Sequence, residues 1–237
     1  MKNLLLAALL CAPLPAAAEE WTLLMKAVKG RYAYARSLPL APGKAAAFDG
    51  KLRPKGGEER QVSFDALLLR RGAGCFAVDY AAEVAGDNRA RPLFEVKGKL
   101  PLRPGKAVVA AAAGGWKLVL ELEGPAAGGC PGGGDGTLKA RLKCRGGSYA
   151  ADFVYLPEAQ YSASLYEEEG DSVRKFLVGL LPGTPGFDGS FFLQYTALLA
   201  EAGEERAASE GRLTLAPGAS RSARAGDGCS FSVKAAR

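Results

Sequence analysis

The chain has 237 residues, a formal net charge of +6 and no histidine. Hydrophobic residues make up 48% of the chain, which is enough for a packed core. The absence of imidazole excludes Ser-His and Cys-His catalysis and removes the commonest ligand of zinc and copper sites. We therefore predict no cofactor and no metal site, and any catalysis would have to use carboxylates, Lys or Tyr.

Residues 1–18 have the features of a secretory signal peptide. Lys2 precedes an apolar run from Leu4 to Leu10, and the small residues at 16–18 fit a cleavage site before Glu19. This apolar run is shorter than the roughly 20 residues that span a bilayer. We therefore expect an exported protein, periplasmic or extracellular, with no transmembrane segment.

The rest of the chain repeats itself in three matched pairs of stretches. WTLLMKAVKG, FAVDYAAEVA and GKLPLRPG begin at Trp21, Phe76 and Gly98, and their counterparts begin 115, 115 and 113 residues later. Three matches in one order at nearly one offset predict a tandem duplication of a unit near 100 residues. The predicted boundaries are a signal peptide at 1–18, a first β-domain at 19–123, a Gly-rich linker at 124–136, and a second β-domain, the duplicate of the first, at 137–237.

Apolar and polar residues alternate through most of each unit. In the stretch from Leu138 to Arg145 every second residue is charged, which is typical of a half-buried strand. The Ala-rich segments 107–113 and 196–211 have helical propensity, but their counterparts in the other unit do not, so we predict strands there. The sequence thus predicts an all-β fold of two antiparallel β-sandwich domains, immunoglobulin-like in outline, with a small closed barrel as the alternative.

Asp-Gly pairs mark the predicted hairpin turns, because tight hairpin turns need residues that tolerate positive φ. The pairs begin at Asp49, Asp135, Asp188 and Asp227. These aspartates lack the Asp-x-Asp-x-Asp-Gly spacing of a calcium loop, so turn chemistry explains them better.

Four cysteines follow the predicted signal peptide, and in an exported chain they indicate up to two disulfides. The first and last strands of a sandwich often end near each other. We therefore predict Cys144–Cys229 within the second unit and Cys75–Cys130 between the first unit and the linker. The alternative pairs Cys130 with Cys144 and Cys75 with Cys229.

Two motifs suggest catalysis, and each has a simpler explanation. Ser172 and Lys175 match Ser-x-x-Lys, but in an extended segment they point to opposite faces, and the partner motifs of such acylases are missing. The acidic cluster from Glu167 to Asp171 lies near tyrosines, as in a glycosidase site, but a solvated hairpin tip explains it more simply. We therefore predict no catalytic residues.

An aromatic stripe at Tyr149, Phe153 and Tyr155 shares one face of a predicted strand. Such a stripe can form a platform for a ligand. Core packing is the commoner use of these residues, and we predict it here.

Positive charge is concentrated in the first unit. Residues 19–123 hold 18 Lys and Arg against 12 Asp and Glu, whereas residues 124–237 hold 12 against 13. This asymmetry suits contacts of the first unit with an anionic polymer or an acidic envelope protein, and ordinary solvation of a basic domain is the alternative explanation. The residues that contribute most are Lys51, Arg53, Lys55, Arg60, Arg70 and Arg71.

The features together predict an exported cell-envelope protein for binding or assembly, without catalytic activity. One alternative is a carbohydrate-active envelope enzyme that uses two carboxylates. Another is a module that pairs a sheet edge with a partner chain, as chaperone and pilus systems do. No nucleic-acid partner is expected, because no aromatic-plus-basic recognition module is present.

Overall fold

The computed structural model describes residues 20–72, 75–86, 92–124, 136–145, 147–169, 172–226 and 228–236. The predicted signal peptide and residues 125–135 of the predicted linker lie outside these ranges. The described residues form sixteen strands. They are β1 Trp21–Lys29, β2 Tyr32–Leu40, β3 Ala45–Leu52, β4 Arg60–Gly72, β5 Cys75–Ala85, β6 Pro92–Leu102, β7 Val108–Ala113, β8 Trp116–Glu123, β9 Thr137–Cys144, β10 Gly147–Val154, β11 Tyr161–Glu169, β12 Ser172–Pro182, β13 Phe191–Glu201, β14 Glu204–Leu215, β15 Ser220–Arg224 and β16 Ser230–Ala236.

The alternation of apolar and polar residues along the chain determines where these strands form. In β1 the side chains of Trp21, Leu23, Met25 and Ala27 are buried, while the residues between them are half-buried. The alanine run forms β7, and the second helix-prone segment forms the β13–β14 hairpin, as predicted. Burial of one face therefore outweighs the helical propensity of Ala and Leu in both places.

The strands form two antiparallel sheets, and the predicted all-β sandwich is confirmed. Sheet A has the order β15-β16-β9-β10-β7-β8-β1-β2, and sheet B has the order β14-β13-β12-β11-β6-β5-β4-β3. Buried residues of both sheets belong to one hydrophobic core. Most neighbouring strands are joined by simple hairpins. The likeness to immunoglobulin domains therefore covers the two-sheet architecture and not their Greek-key connections.

Each sheet contains four strands from either side of the predicted domain boundary. The two halves meet where β7 pairs with β10 in sheet A and β6 pairs with β11 in sheet B. We refer to these two pairings as the seam. The turn before β8 also packs across it: Gly114 has φ +55°, and a Cβ there would lie 2.8 Å from Leu165 of the second half. A larger residue at this position would strain the backbone and displace the Leu165 side chain, which favours glycine.

The strand order of the second half repeats that of the first, with every strand number raised by eight. The three matched stretches of sequence fall on equivalent strands, namely β1 and β9, β5 and β13, and β6 and β14. A register shift also lies between Val84 and Ala85 in one half and between Leu199 and Ala200, 115 positions later, in the other. The duplication itself stays a prediction, but the halves share their strand order and this irregularity.

The hairpin turns differ in part from those expected. Asp49 and Gly50 lie inside β3, where they pair with Ser63 and Val62 of β4, so the predicted turn there is wrong. Cross-strand pairing of a continuous edge strand has overridden the local turn preference. Asp188 does lie in a turn, and its carboxylate accepts hydrogen bonds from the backbone N–H and hydroxyl of Ser190. Asp135 and Asp227 lie outside the described residues.

The predicted disulfide between Cys144 and Cys229 is confirmed, with a Cα–Cα distance of 4.2 Å. It joins the end of β9 to the residue before β16, the first and last strands of the second half. The alternative pairing is thereby excluded. Cys75 is also disulfide-bonded, and its predicted partner Cys130 lies outside the described residues.

Candidate functional site

A row of cations lies on the outer face of sheet A in the second half of the chain. In β9 the buried residues Leu138, Ala140 and Leu142 face the core, so the residues between them point outwards. Three of these outward residues, at alternate positions of the strand, bear positive charge. They are Lys139, Arg141 and Lys143.

The neighbouring strands extend this row into a patch. Lys234 of β16 stands directly opposite Lys139, and Arg224 at the end of β15 shares its face with Ser230, which stands opposite Lys143. Directly opposed side chains lie about 5 Å apart at Cβ, and alternate residues of one strand about 7 Å apart. We define the basic face as the five cations Lys139, Arg141, Lys143, Arg224 and Lys234.

Small hydroxyl side chains fill the space between these cations. Ser222 and Ser232 stand opposite each other on β15 and β16, and Ser232 also stands opposite Arg141. Their short side chains leave the longer Lys and Arg side chains accessible. The surface therefore offers charged and neutral hydrogen-bond donors together, which suits phosphate and carboxylate groups.

No acidic side chain forms an ion pair with the basic face within the described part of the chain. None of its five cations makes an ion pair with a described residue. Asp152 of β10 stands opposite Lys139 without an ion pair between them, and its Oδ1 atom is buried with no hydrogen-bond partner. A ligand can therefore bind these cations without first breaking an ion pair to a described residue.

The six cations predicted from the sequence are arranged differently. Four of them, Lys51, Arg53, Lys55 and Arg60, lie around the β3–β4 connection at one end of the sandwich. Arg70 and Arg71 lie ten residues along β4 from that end, roughly 33 Å away at strand rise. The structure thus brings four of the six together and separates the other two.

Three of the four cations at the β3–β4 connection form ion pairs with glutamates. Lys51 and Arg53 lie 3.7 Å and 4.0 Å from the carboxylate of Glu59, and Arg60 pairs with Glu58. At the far end, the Arg70 guanidinium lies 5.9 Å from the ring of Phe76. Exposed ion pairs of this kind lower the local field, so this end is less basic than its count of cations suggests.

Two grooves lie on the outer face of sheet B at equivalent places in the two halves. The first has a volume of about 600 Å³ and the second about 650 Å³, and Gln160 borders both. The floor of the first groove is made of small residues, among them Ala47, Ala81 and Gly98. An open groove of this kind suits an extended chain rather than a compact small molecule.

The first groove carries two carboxylates. Asp65 of β4 stands opposite Ala81, and Asp79 of β5 stands opposite Leu67, so the two aspartates are diagonal neighbours on one face. Diagonal neighbours in a sheet lie about 7 to 8 Å apart. The carboxylate of Asp79 is 3.0 Å from the Lys99 ammonium, which holds it as an ion pair. No sequence motif marks this pair, because the register of β4 against β5 brings the two aspartates together.

Two tyrosines under this groove belong to the core. The Tyr161 hydroxyl donates to the carbonyl of Lys99 at 2.5 Å and accepts from the backbone N–H of Leu156 at 2.6 Å. Burial raises the pKa of Tyr161 and of Tyr80 far above the ordinary tyrosine value. Both phenols therefore stay neutral and act as structural groups.

An aromatic cavity of about 560 Å³ lies at the end of the sandwich near the β3–β4 connection. Tyr32, Tyr34 and Trp116 line it, and the Lys29 ammonium lies 5.2 Å above the Trp116 ring. Trp116 stacks on Phe94 with ring centroids 5.7 Å apart, so this wall is rigid. Sequence reasoning missed the cavity because its residues are far apart along the chain.

The other candidate motifs take their simpler roles. Tyr149 and Phe153 are buried in the core, as predicted for the aromatic stripe. Ser172 and Lys175 both lie in the extended strand β12. Glu167 stands opposite Arg174 near the tip of the β11–β12 hairpin, whose residues 170 and 171 lie outside the described ranges.

Comparison with protein-family models, with curated proteins and with solved structures finds no match. Among the described residues there is no helix of the length and apolarity that a membrane span requires. The same residues contain no group of three or more potential metal ligands.

Proposed function

We propose that the protein is an exported cell-envelope binding protein that holds an anionic polymer on its basic face and has no catalytic activity. The carrying observation is that five cations share one flat sheet surface without an ion pair to any described residue. Lys and Arg on a regular sheet stand at fixed intervals, as do phosphates or carboxylates along a polymer. Each contact forms without breaking an existing ion pair, so little of the attraction is lost.

Export, as predicted from residues 1–18, supports this choice of ligand. Envelope polymers with phosphate or carboxylate groups, such as lipopolysaccharide or teichoic polymers, are the anions available there. The proposal moves the contact region from the six cations expected in the first half to the second half. Partial neutralisation of the first group by Glu58 and Glu59 supports the move.

Binding of purified teichoic acid, with neutral dextran as the reference polymer, tests this proposal. The triple variant K139Q/R141Q/K143Q removes three charges from the basic face, and K51Q/R53Q/K55Q removes three charges from the β3–β4 end. We expect the first variant to raise Kd by about tenfold or more and the second to change it little, with wild-type affinity falling steeply with salt. Equal effects of the two variants would mean that net charge alone drives binding, and the proposal would fail.

The groove with Asp65 and Asp79 favours one other function, hydrolysis of an envelope polysaccharide. Residue positions about 7 to 8 Å apart on one face allow the two carboxyl groups to reach the separation of about 6.5–9.5 Å that inverting glycosidases use for their acid and base. Release of reducing ends from envelope polysaccharide by the wild type, and its loss in D65N and in D79N, would establish this activity. Absence of reducing ends with the wild type would reject it.

A further inference from the structure

We propose that copies of this chain associate head to tail, because each copy carries at its two sides the same kinds of strand edge that meet at its own seam. This inference does not rest on polymer binding, although Arg224 of the basic face lies on the edge strand β15. It concerns the four edge strands of the sandwich, β2 and β3 on one side and β14 and β15 on the other.

The seam joins two unlike edges. One edge consists of β6 and β7 of the first half, and the other consists of β10 and β11 of the second half. In the repeated strand order, β14 and β15 occupy the places of β6 and β7, while β2 and β3 occupy the places of β10 and β11. The outer sides of the molecule are therefore a second pair of the same complementary edges, facing away from each other.

The register of the equivalent residues can be followed strand by strand. In sheet B, Val96 of β6 stands opposite Ala82 of β5. Ser209 of β14 stands opposite Ala197 of β13, which is the counterpart of Ala82, so Ser209 is equivalent to Val96. At the seam, Val96 pairs with Ala163 of β11. The equivalent of Ala163 in the first half is Phe48 of β3.

The same argument holds for sheet A. Ala111 of β7 stands opposite Leu118, as Ala223 of β15 stands opposite Phe231. At the seam, Ala111 pairs with Phe153, whose equivalent on β2 is Leu38. The resulting contacts between copies are Arg36–Ala225, Ser37–Arg224, Leu38–Ala223, Ala47–Glu210, Phe48–Ser209, Asp49–Ala208 and Gly50–Ala207.

The inward residues of the edge strand β3 are incompletely buried, as expected if a neighbouring strand could still pair with it. The inward residues Ala46, Phe48 and Leu52 of β3 are only half-buried. The counterparts of Ala46 and Phe48 at the seam, Tyr161 and Ala163 of β11, are buried because β6 covers that strand. An added copy would cover β3 in the same manner.

No like charges stand opposite each other in the seven contacts. Arg36 faces Ala225, Arg224 faces Ser37, Asp49 faces Ala208, and Glu210 faces Ala47. A head-to-tail contact of this kind leaves the same two edges free at the ends of every assembly, so the assembly can grow.

Sedimentation velocity of the purified protein over a wide concentration range tests the proposal. Ser37 and Ala208 are exposed, so substitutions there spare the core. The variant S37R/A208D places like charges opposite Arg224 and Asp49 of the next copy, and S37D/A208K places opposite charges at the same positions. We expect dimers and larger species in the wild type, and about a tenfold lower association constant for the first variant than for the second.

Circular dichroism and melting of both variants confirm that each is folded before they are compared. Three results would overturn the proposal: a wild type that stays monomeric up to millimolar concentration, equal association of the two variants, or growth that stops at a dimer. In a two-fold dimer each edge would pair with the identical edge of the other copy. The substituted residues 37 and 208 would then not stand opposite Arg224 and Asp49.

Discussion

Two buried tyrosines make the stability of the protein sensitive to alkaline pH. Burial, and for Tyr80 the nearby Tyr161 as well, raises the pKa of both phenols far above the ordinary value of 10.0. The folded chain thus retains two protons that the unfolded chain releases above about pH 10. Their contribution to the free energy of unfolding is therefore fully present below that pH and falls as the pH rises above it.

Melting temperatures measured from about pH 8 to pH 11 check this prediction. We expect the wild type to lose stability at the alkaline end, and Tyr80→Phe to lose less of it over the same interval. Tyr166→Phe is the matched control, because Tyr166 is half-buried and its loss leaves both buried phenols in place. An identical alkaline loss in the two variants would contradict the assignment to Tyr80.

At the scale of elements, the Cys144–Cys229 disulfide fixes β9 against β16 and closes a loop of 85 residues in sequence separation. Such a bond restricts the unfolded chain, and removal of a long-range disulfide typically costs about 2–4 kcal/mol. We expect the variant C144S/C229S to unfold at correspondingly lower denaturant concentration. Denaturation followed by circular dichroism measures this difference.

The control for the disulfide uses the same two proteins in reductant. Both then lack the β9–β16 bond and the bond of Cys75, so their unfolding midpoints should coincide within the small effect of the Cys-to-Ser changes. A variant as stable as the wild type without reductant would show that packing alone fixes these strands.

The strands themselves were predictable because one face of each strand is buried. The alternation of apolar and polar residues in the sequence indicates which residues lie on that face. β7 and the β13–β14 hairpin were predictable only by comparing the two units, since their local propensity is helical. Asp49 and Gly50 were mistaken for a turn because a dipeptide does not report the strand beside it. The groove carboxylates Asp65 and Asp79 depend on strand register, which the sequence of either strand alone does not specify.

At the scale of the whole molecule, a count of charges and the pattern of ion pairs favour different surfaces for the proposed ligand. A count gives equal weight to Lys51, which has Glu59 beside it, and to Arg141, which has no described counterion. The alternation of cations in β9 was visible in the sequence. The sequence of β9 alone, however, does not show that β15 and β16 add further cations to the same face.

A single core across both halves predicts cooperative unfolding. Both sheets pass through the seam without interruption, and buried residues from β1 to β16 belong to one cluster. We expect one calorimetric transition, with core amides of β5 and β13 exchanging hydrogen at similar free energies of opening. Two separated transitions, or slow exchange confined to one half, would instead indicate two independent units.

The seam also bears on how the molecule would respond to tension. β7 and β10 share three residue pairs, whereas the hairpin partners β9 and β10 share eight. A load applied across the strands, from β2 towards β15, passes through every strand pair of sheet A in series, so the shortest pairing yields first. Stretched between two anchored neighbours, the protein would open at its middle while each half kept its own hairpins.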